Sequence, residues 1–304
     1  MPTLIGVPTT AAGQRATVPH EAWTAQKAAH ERRVDALAAP HLERRVRGIR
    51  HPVEDFLFTY YFHRPAQLRR WHPGTGVVLG DADPAALGRD YVAVDGGAAL
   101  DTAAVVARRR DSLAWIGELL VRTAGRPAQF GCFGLHEWAM VYRADEVRHE
   151  SWPLRLGAAG TDAVVEAHAV RCSHYDAFRF FTTPARPLNA LDPSRERQAE
   201  LEQPGCLHAN MDVYKWAYKL SPLVPGELVV DAFELAREIR ALDMRASPYD
   251  LSALGYDPLP IETAAGKAEY TAAQRAFATR AAALRRRLVD ILGSIGVETA
   301  ERRM

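Results

Sequence analysis

Residues Gly205 to Leu220 constrain this chain more than any comparable window, because one run of helical spacing carries both a polar stripe and an almost continuous apolar arc. If Leu207 to Leu220 is helical, a period of about 3.6 residues places His208, Asp212, Lys215 and Lys219 on one narrow line. Met211, Val213, Tyr214, Trp216, Ala217, Tyr218 and Leu220 occupy the rest of the circumference. A helix apolar over more than half its surface belongs in an interior, so its imidazole, carboxylate and ammonium groups must be satisfied there or line a cleft.

The remaining pattern is that of a mainly α protein with a minor β element. The expectation is a flexible lead over residues 1–17 followed by a single multi-helix domain over 18–304. Val18 to Ala39 has helical spacing, Pro40 should end it, and a second short helix should run from His41 to Ile49. The aromatic run Glu54 to His63 suggests a buried helix. Val77–Leu79 and Tyr91–Val94 are short apolar runs suited to a hairpin or edge sheet. Asp101 is placed to cap a helix reaching Leu120. Ala163 to Val170 suits a helix or a strand equally. Pro225 to Arg245 and Ala264 to Leu292 are strongly helical, the latter with Arg285, Arg286 and Arg287 expected in solvent.

With 304 residues, 48% hydrophobic and 25% charged, the chain can bury a large core. No apolar stretch is long enough to span a bilayer and no secretory leader opens it, so no membrane partner and a cytoplasmic location are expected. A net charge of +1 gives no global preference for a polyanion, although residues 1–75 are locally basic. Arg32, Arg33, Arg44, Arg45, Arg47 and Arg50 there form either a solvated helix face or a phosphate-facing surface. Three cysteines without a Cys-x-x-Cys pair argue against a disulfide framework and a four-cysteine zinc site. Each lies close before a histidine (Cys132 and His136, Cys172 and His174, Cys206 and His208), which leaves a Cys/His metal site open against three separate core thiols.

Two further stretches are rich in acids, bases and rings: Gly131 to Tyr142, with His136, Glu137, Trp138 and Tyr142, and Arg171 to Phe181, with His174 and Asp176. Glu146-Val-Arg-His149 has the Glu-x-x-His spacing of carboxylate-bridged di-iron helices, but no second copy exists. Phosphate-cradling glycine motifs, the His-Glu-x-x-His zinc motif and the Gly-x-Ser-x-Gly elbow are absent; Met140 stands where the second histidine of the zinc motif would be. What remains is paired acids and bases beside aromatic rings. An ionised carboxylate in a ring-walled cavity suits stabilisation of a cationic transition state, as in cleavage of a glycosidic bond. The competing account of Asp212 and Lys215 is an ion pair on a core helix.

Leu135-His-Glu-Trp-Ala-Met, Ser173-His-Tyr-Asp-Ala-Phe-Arg-Phe-Phe, Leu207 to Leu220 and Asp243-Met-Arg-Ala-Ser-Pro-Tyr-Asp-Leu resemble an actinobacterial family commonly labelled 3-methyladenine DNA glycosylase, over most of residues 50–285. The resemblance implies a DNA-repair hydrolase of base excision, acting on DNA that carries an alkylated base and needing no cofactor. It supplies no catalytic residues. The residues themselves suggest Asp212 or Glu137 as the carboxylate, with His208 beside it. Trp216, Tyr218, Tyr214 and Trp138 would form the stacking wall, with Lys215 and Asn210 as further substrate contacts. Leu292 to Ala300 is similar to the hairpin of helix-hairpin-helix glycosylases in Ile295, Gly296, Thr299 and Ala300, but too little chain follows to supply their downstream aspartate. The alternative is a metal-dependent enzyme acting on a small molecule, with iron or zinc held by His136, His174, His208 and Asp176. A binding protein that keeps the aromatic pocket without using the carboxylates is the third class. Common to all three is the expectation that the rich stretches converge on one chamber.

Overall fold

The computed structural model describes residues 15–144 and 152–297. It is mainly helical with a small sheet, as the periodicities predict. The chain enters through β1 (Ala16–Val18) and the long helix α1 (His20–Val46), then passes two short helices, α2 (Phe56–Tyr60) and α3 (Pro65–Leu68). Strand β2 (Val77–Gly80), helix α4 (Pro84–Leu87) and the hairpin β3 (Tyr91–Val94) and β4 (Gly97–Leu100) follow, leading into α5 (Thr102–Ala124). Four short helices then frame the site: α6 (Leu135–Ala139), α7 (Gly157–Glu166), α8 (Tyr175–Phe178) and α9 (Gln198–Leu201). Three long ones complete the core: α10 (Leu207–Leu220), α11 (Gly226–Arg245) and α12 (Ala264–Ser294).

Helix α10 packs most extensively against α11, and both lie on α12. Its apolar arc is the reason: Leu207, Met211, Val213, Tyr214, Trp216, Ala217 and Leu220 are all buried. Helix α11 answers with Leu228, Ala232, Leu235 and Ile239, spaced three or four residues apart on one face. Asp101 caps α5 as its position suggests, accepting from the Ala104 amide at 2.9 Å. No helix of the described residues is long and apolar enough to cross a membrane.

Several local expectations are corrected. Residues 16 and 17, expected within the flexible lead, and Val18, expected to open a helix, form β1, which pairs in parallel with β2 in a sheet of order β1-β2-β4-β3. Pro40 does not end α1: the helix runs through it to Val46, because Val34, Ala38 and His41 on either side of the proline share one buried stripe. Packing outweighs the lost amide donor. The Glu54 to His63 run is helical only over Phe56–Tyr60, and Phe62 is exposed. Strands β2 and β3 are not neighbours, since β4 lies between them, in register Val78↔Ala99 and Val92↔Ala99. The signal for β4 was present in Asp95-Gly96, a two-residue hairpin turn whose glycine takes φ of +79°. Residues 163–166 are helical, within α7. Arg285 is buried rather than solvated and donates to Asn210 Oδ1 at 2.9 Å, while Arg286 and Arg287 are exposed. The Glu146 to His149 spacing and the end of the hairpin-like run after Val297 lie outside the described residues.

Candidate functional site

The three stretches do converge. His136 comes from α6, His174 from the residue preceding α8, and His208 from the first turn of α10. Ring centroids of His136 and His208 are 4.4 Å apart at 81°, and those of His174 and His208 are 5.3 Å apart at 28°. His208 therefore stands between the other two. Three buried carboxylates surround the imidazoles: Asp212 one turn further along α10, Asp243 near the end of α11, and Glu202 just after α9. Their donor atoms fall into two groups, His136, His208 and Asp243, and His174, Glu202 and Asp212, with the atoms of each within 4.8 Å of one another.

The two groups differ electrostatically. His136 Nε2 lies 2.9 Å from Asp243 Oδ1, and its Nδ1 lies 3.3 Å from the Cys132 thiol. Burial opposes charge on His136, but Asp243, helped by Cys132, holds its affinity for a proton well above the ordinary range. Asp243, for which burial alone would favour the neutral acid, is held low by that imidazole and by Arg240. Arg240 is itself 3% exposed and bridges Glu137 at 2.9 Å and Asp243 at 3.3 Å. Burial still pushes the Glu137 carboxyl up, despite this arginine. His208 goes the other way: burial, reinforced by the neighbouring His136 charge, keeps it neutral.

His174 is held differently. Its Nε2 lies 3.3 Å from Glu202 Oε1 and 3.4 Å from Asp212 Oδ2, without the alignment of a hydrogen bond, and its Nδ1 has no partner. Burial opposes charge on this imidazole, but Glu202 and Asp212 raise its affinity for a proton, while the buried Nδ1 is left unsatisfied at a cost. Glu202 accepts from Gln198 Nε2 at 2.6 Å, and burial pushes its carboxyl up even beside His174. Asp212 accepts from the Tyr61 hydroxyl at 2.8 Å and from Lys215 Nζ at 3.1 Å. Burial is overcome there by Lys215, then by His174 and Tyr61, so Asp212 stays ionised. Lys215 also bonds Asp176 Oδ2 at 2.9 Å, and the two carboxylates keep the ammonium charged against its own burial.

A cavity of about 250 Å³ opens onto this cluster. Its rings are Phe56, Tyr60, Phe180 and Tyr249, and its polar wall is Glu137, Asp176, His208 and Arg240. Below it, Cys132, Cys172 and Cys206 line one small void with His136, His208 and Tyr270. All three thiols are free, and none joins either donor group.

The residues picked out from sequence fare unequally. His136, His174, His208, Asp212, Glu137 and Asp176 come together. Asp176 contributes through the cavity wall and Lys215 rather than as a member of a donor group. The stacking wall lies elsewhere than expected. Trp138 is fully buried, donates to the Ala246 carbonyl at 2.9 Å and is covered by Arg155. Tyr214 is a core ring bonded to His63 at 2.9 Å. Tyr218 donates to the Tyr61 carbonyl at 2.8 Å, and Trp216 faces a separate groove. Asn210 ties the Pro204 carbonyl and Arg285 together. Of the basic N-terminal residues, Arg33 pairs with Asp231 and Glu234, and Arg44 with Asp55.

Sequence reasoning missed Glu202, Asp243, Arg240 and Tyr61. Arg240 and Asp243 left a signal, being charged residues three apart beside the inward-facing Ile239 and Leu242 of α11. Glu202 left none, because it stands after a four-residue helix without hydrophobic periodicity. No protein-family description, curated protein or solved structure matches the chain.

Proposed function

We propose that the protein is a metal-dependent enzyme acting on a small molecule, with a first-row transition ion, iron or zinc, held in the histidine and carboxylate cluster. The observation that carries this reading is the placement of His208: one ring belongs to a two-histidine, one-carboxylate donor group and to the wall of a ring-lined cavity that opens onto the cluster. Nitrogen and carboxylate donors without thiolate favour iron, zinc or manganese over softer ions. The residues fit such a guest. His208 is neutral, so its lone pair is available, and the buried His174 Nδ1 has no partner. Ligand atoms about 2.1 Å from a common ion stand roughly 3–4 Å from one another, as His174 Nε2 stands from Glu202 (3.3 Å) and Asp212 (3.4 Å). A bound ion would supply Lewis acidity, or redox chemistry if it is iron.

The surrounding residues have definable tasks. Phe56, Tyr60, Phe180 and Tyr249 exclude water from the cavity, and about 250 Å³ restricts it to a ligand smaller than a typical drug. Arg240 and Glu137 present opposite polarity on one wall and would orient a polar substrate. Glu137, whose affinity for a proton is raised by burial, is suited to donate a proton to a bound group. Tyr61 and Lys215 hold Asp212 in place through both of its oxygens.

A second reading, release of an alkylated base from DNA, is favoured by one feature: the same cavity is walled by rings and offers two carboxylates. In that reading the acids that reach the substrate are Glu137 and Asp176, since Asp212 does not line the cavity. Elemental analysis of protein purified without chelator, with Asp243→Asn and His208→Ala variants beside it, separates the two. Stoichiometric iron or zinc that both variants lose supports the metal enzyme. Metal-free protein that releases methylated base in the presence of EDTA overturns it in favour of the second reading.

A further inference from the structure

A second, much larger depression of about 1080 Å³ lies on the other side of Asp176, between α5, α8, α10 and the segment 195–198. Its character differs from that of the cavity. Five cations line it, Arg109, Arg179, Arg195, Lys215 and Lys219, against three carboxylates, Asp111, Asp176 and Glu196. Asp176 is already matched by Lys215 at 2.9 Å and Arg179 at 3.2 Å. Arg109 spends its guanidinium on the carbonyls of Lys219 and Ser221, clamping the C-terminal end of α10 onto α5. This leaves Arg195 and Lys219, both exposed, with no side-chain hydrogen bond or ion pair to any described residue. Burial, then Lys215 and to a smaller degree Arg195, disfavour the charged form of Lys219, against Asp212 and Asp176.

Five cations against three carboxylates leave this groove with a net positive lining, which an anion would neutralise. The same groove holds an aromatic platform. Trp115, on α5, is 43% exposed and forms a T-shaped pair with Trp216 at a centroid distance of 5.4 Å. Trp216 is itself covered by Lys215 and Lys219, at 4.7 and 5.8 Å from its ring. Trp115 therefore offers the free ring face, and a flat group stacked there would carry an attached anion to Arg195 and Lys219.

We propose that this groove is a binding site for a small phosphorylated molecule bearing a flat ring, of the size and chemistry of a nucleoside monophosphate. The proposal does not require the metal, because none of the three residues it rests on belongs to the donor groups. A single nucleotide is favoured over a strand: only two cations are unpaired, a net charge of +1 gives no long-range attraction to a polyanion, and the free ring is one tryptophan.

Isothermal titration calorimetry of the full chain with adenosine 5′-monophosphate at low salt tests this, with adenosine, ribose 5-phosphate and an oligodeoxythymidine as comparators. The expected result is saturable 1:1 binding of the monophosphate, about ten-fold weaker for adenosine and for ribose 5-phosphate. Arg195→Gln and Lys219→Gln are exposed-site changes and should each weaken the monophosphate by about ten-fold without altering the binding of adenosine. Trp115→Ala should weaken adenosine as well. Absence of monophosphate binding, unchanged affinity in an Arg195→Gln/Lys219→Gln double variant whose melting temperature matches the parent, or tighter binding of the oligonucleotide than of the mononucleotide would each overturn the proposal. Since the titration is run with EDTA present, its failure leaves the metal reading standing, and loss of metal leaves this site standing.

Discussion

Replacing Arg240 by methionine is the perturbation whose consequence follows most directly from the geometry. Arg240 is 3% exposed, bonds Glu137 at 2.9 Å and Asp243 at 3.3 Å, and lies 4.0 Å over the Phe56 ring. Methionine keeps much of the volume and the contact with Phe56, so the dominant loss is electrostatic. Asp243 retains His136 at 2.9 Å; Glu137, only 6% exposed, loses the cation that bonds it. Removing one partner of a buried pair costs about 3–5 kcal/mol. The low end applies, because Glu137 already sits above its ordinary range and escapes the penalty by taking up a proton. Arg240→Met should therefore lose about 3 kcal/mol at neutral pH. With an unfolding entropy near 2.1 cal/mol/K per residue over 304 residues, that is a fall in melting temperature of about 5 °C. Adding Glu137→Gln, which removes the orphaned charge at nearly constant shape, should restore at least half of the loss. The deficit of the single variant should also shrink as pH falls and Glu137 becomes neutral without help. Circular-dichroism melts of the parent, both single variants and the double variant, all with chelator, provide the cycle. An Arg240→Met protein within about 0.5 kcal/mol of the parent, or a double variant whose losses simply add, would refute the reasoning.

Two further outcomes are expected. His63 and His72 are held neutral mainly by burial, each down to about 4, and are bonded to the hydroxyls of Tyr214 and Tyr91. Since the unfolded chain binds those protons near pH 6.5, their contribution is complete above that value and is lost as pH falls toward 4, by up to about 3 kcal/mol each. Urea midpoints between pH 7.5 and 4.5 should fall more steeply for the parent than for a His63→Gln/His72→Gln variant, and equal slopes would exclude these two as the cause. Gly205→Ala should destabilise by about 2–4 kcal/mol, because the new Cβ would stand 2.3 Å from the Gln129 carbonyl oxygen at the entrance to α10, where only backbone can move aside. A Gly205→Ala protein that melts with the parent would show that the 129–130 segment yields freely.

How far the site was legible in sequence depends on whether its groups were carried by periodicity. His208, Asp212 and Lys215 were visible because a 14-residue helix with an apolar arc leaves nowhere for three polar groups except one line. His136 and His174 were visible only as neighbours of acids and rings, and nothing local said that they face the same point. Trp138 and Tyr214 were chosen as stacking rings by composition, yet a large ring on a core helix is more readily consumed in packing than left facing a void. The rings that do wall the cavity, Phe56, Tyr60, Phe180 and Tyr249, come from three short or irregular segments whose direction no repeat specifies.

The mainly helical architecture, the extent of α10 and α11, the Asp101 cap and the polar stripe were decided by the sequence alone, because each rests on hydrogen bonds and side-chain spacings closed within a few residues. Which carboxylate meets which histidine was decided only in three dimensions. Asp243 and Glu202 reach the cluster through side-chain contacts between α11 and α6 and the short connection from α9 to α10, contacts 107 residues apart in the case of His136 and Asp243. The same holds for charge: His136 and His208 are the same residue type with the same intrinsic affinity for a proton, and they diverge in opposite directions because one faces Asp243 and the other faces its charged neighbour in a dry interior.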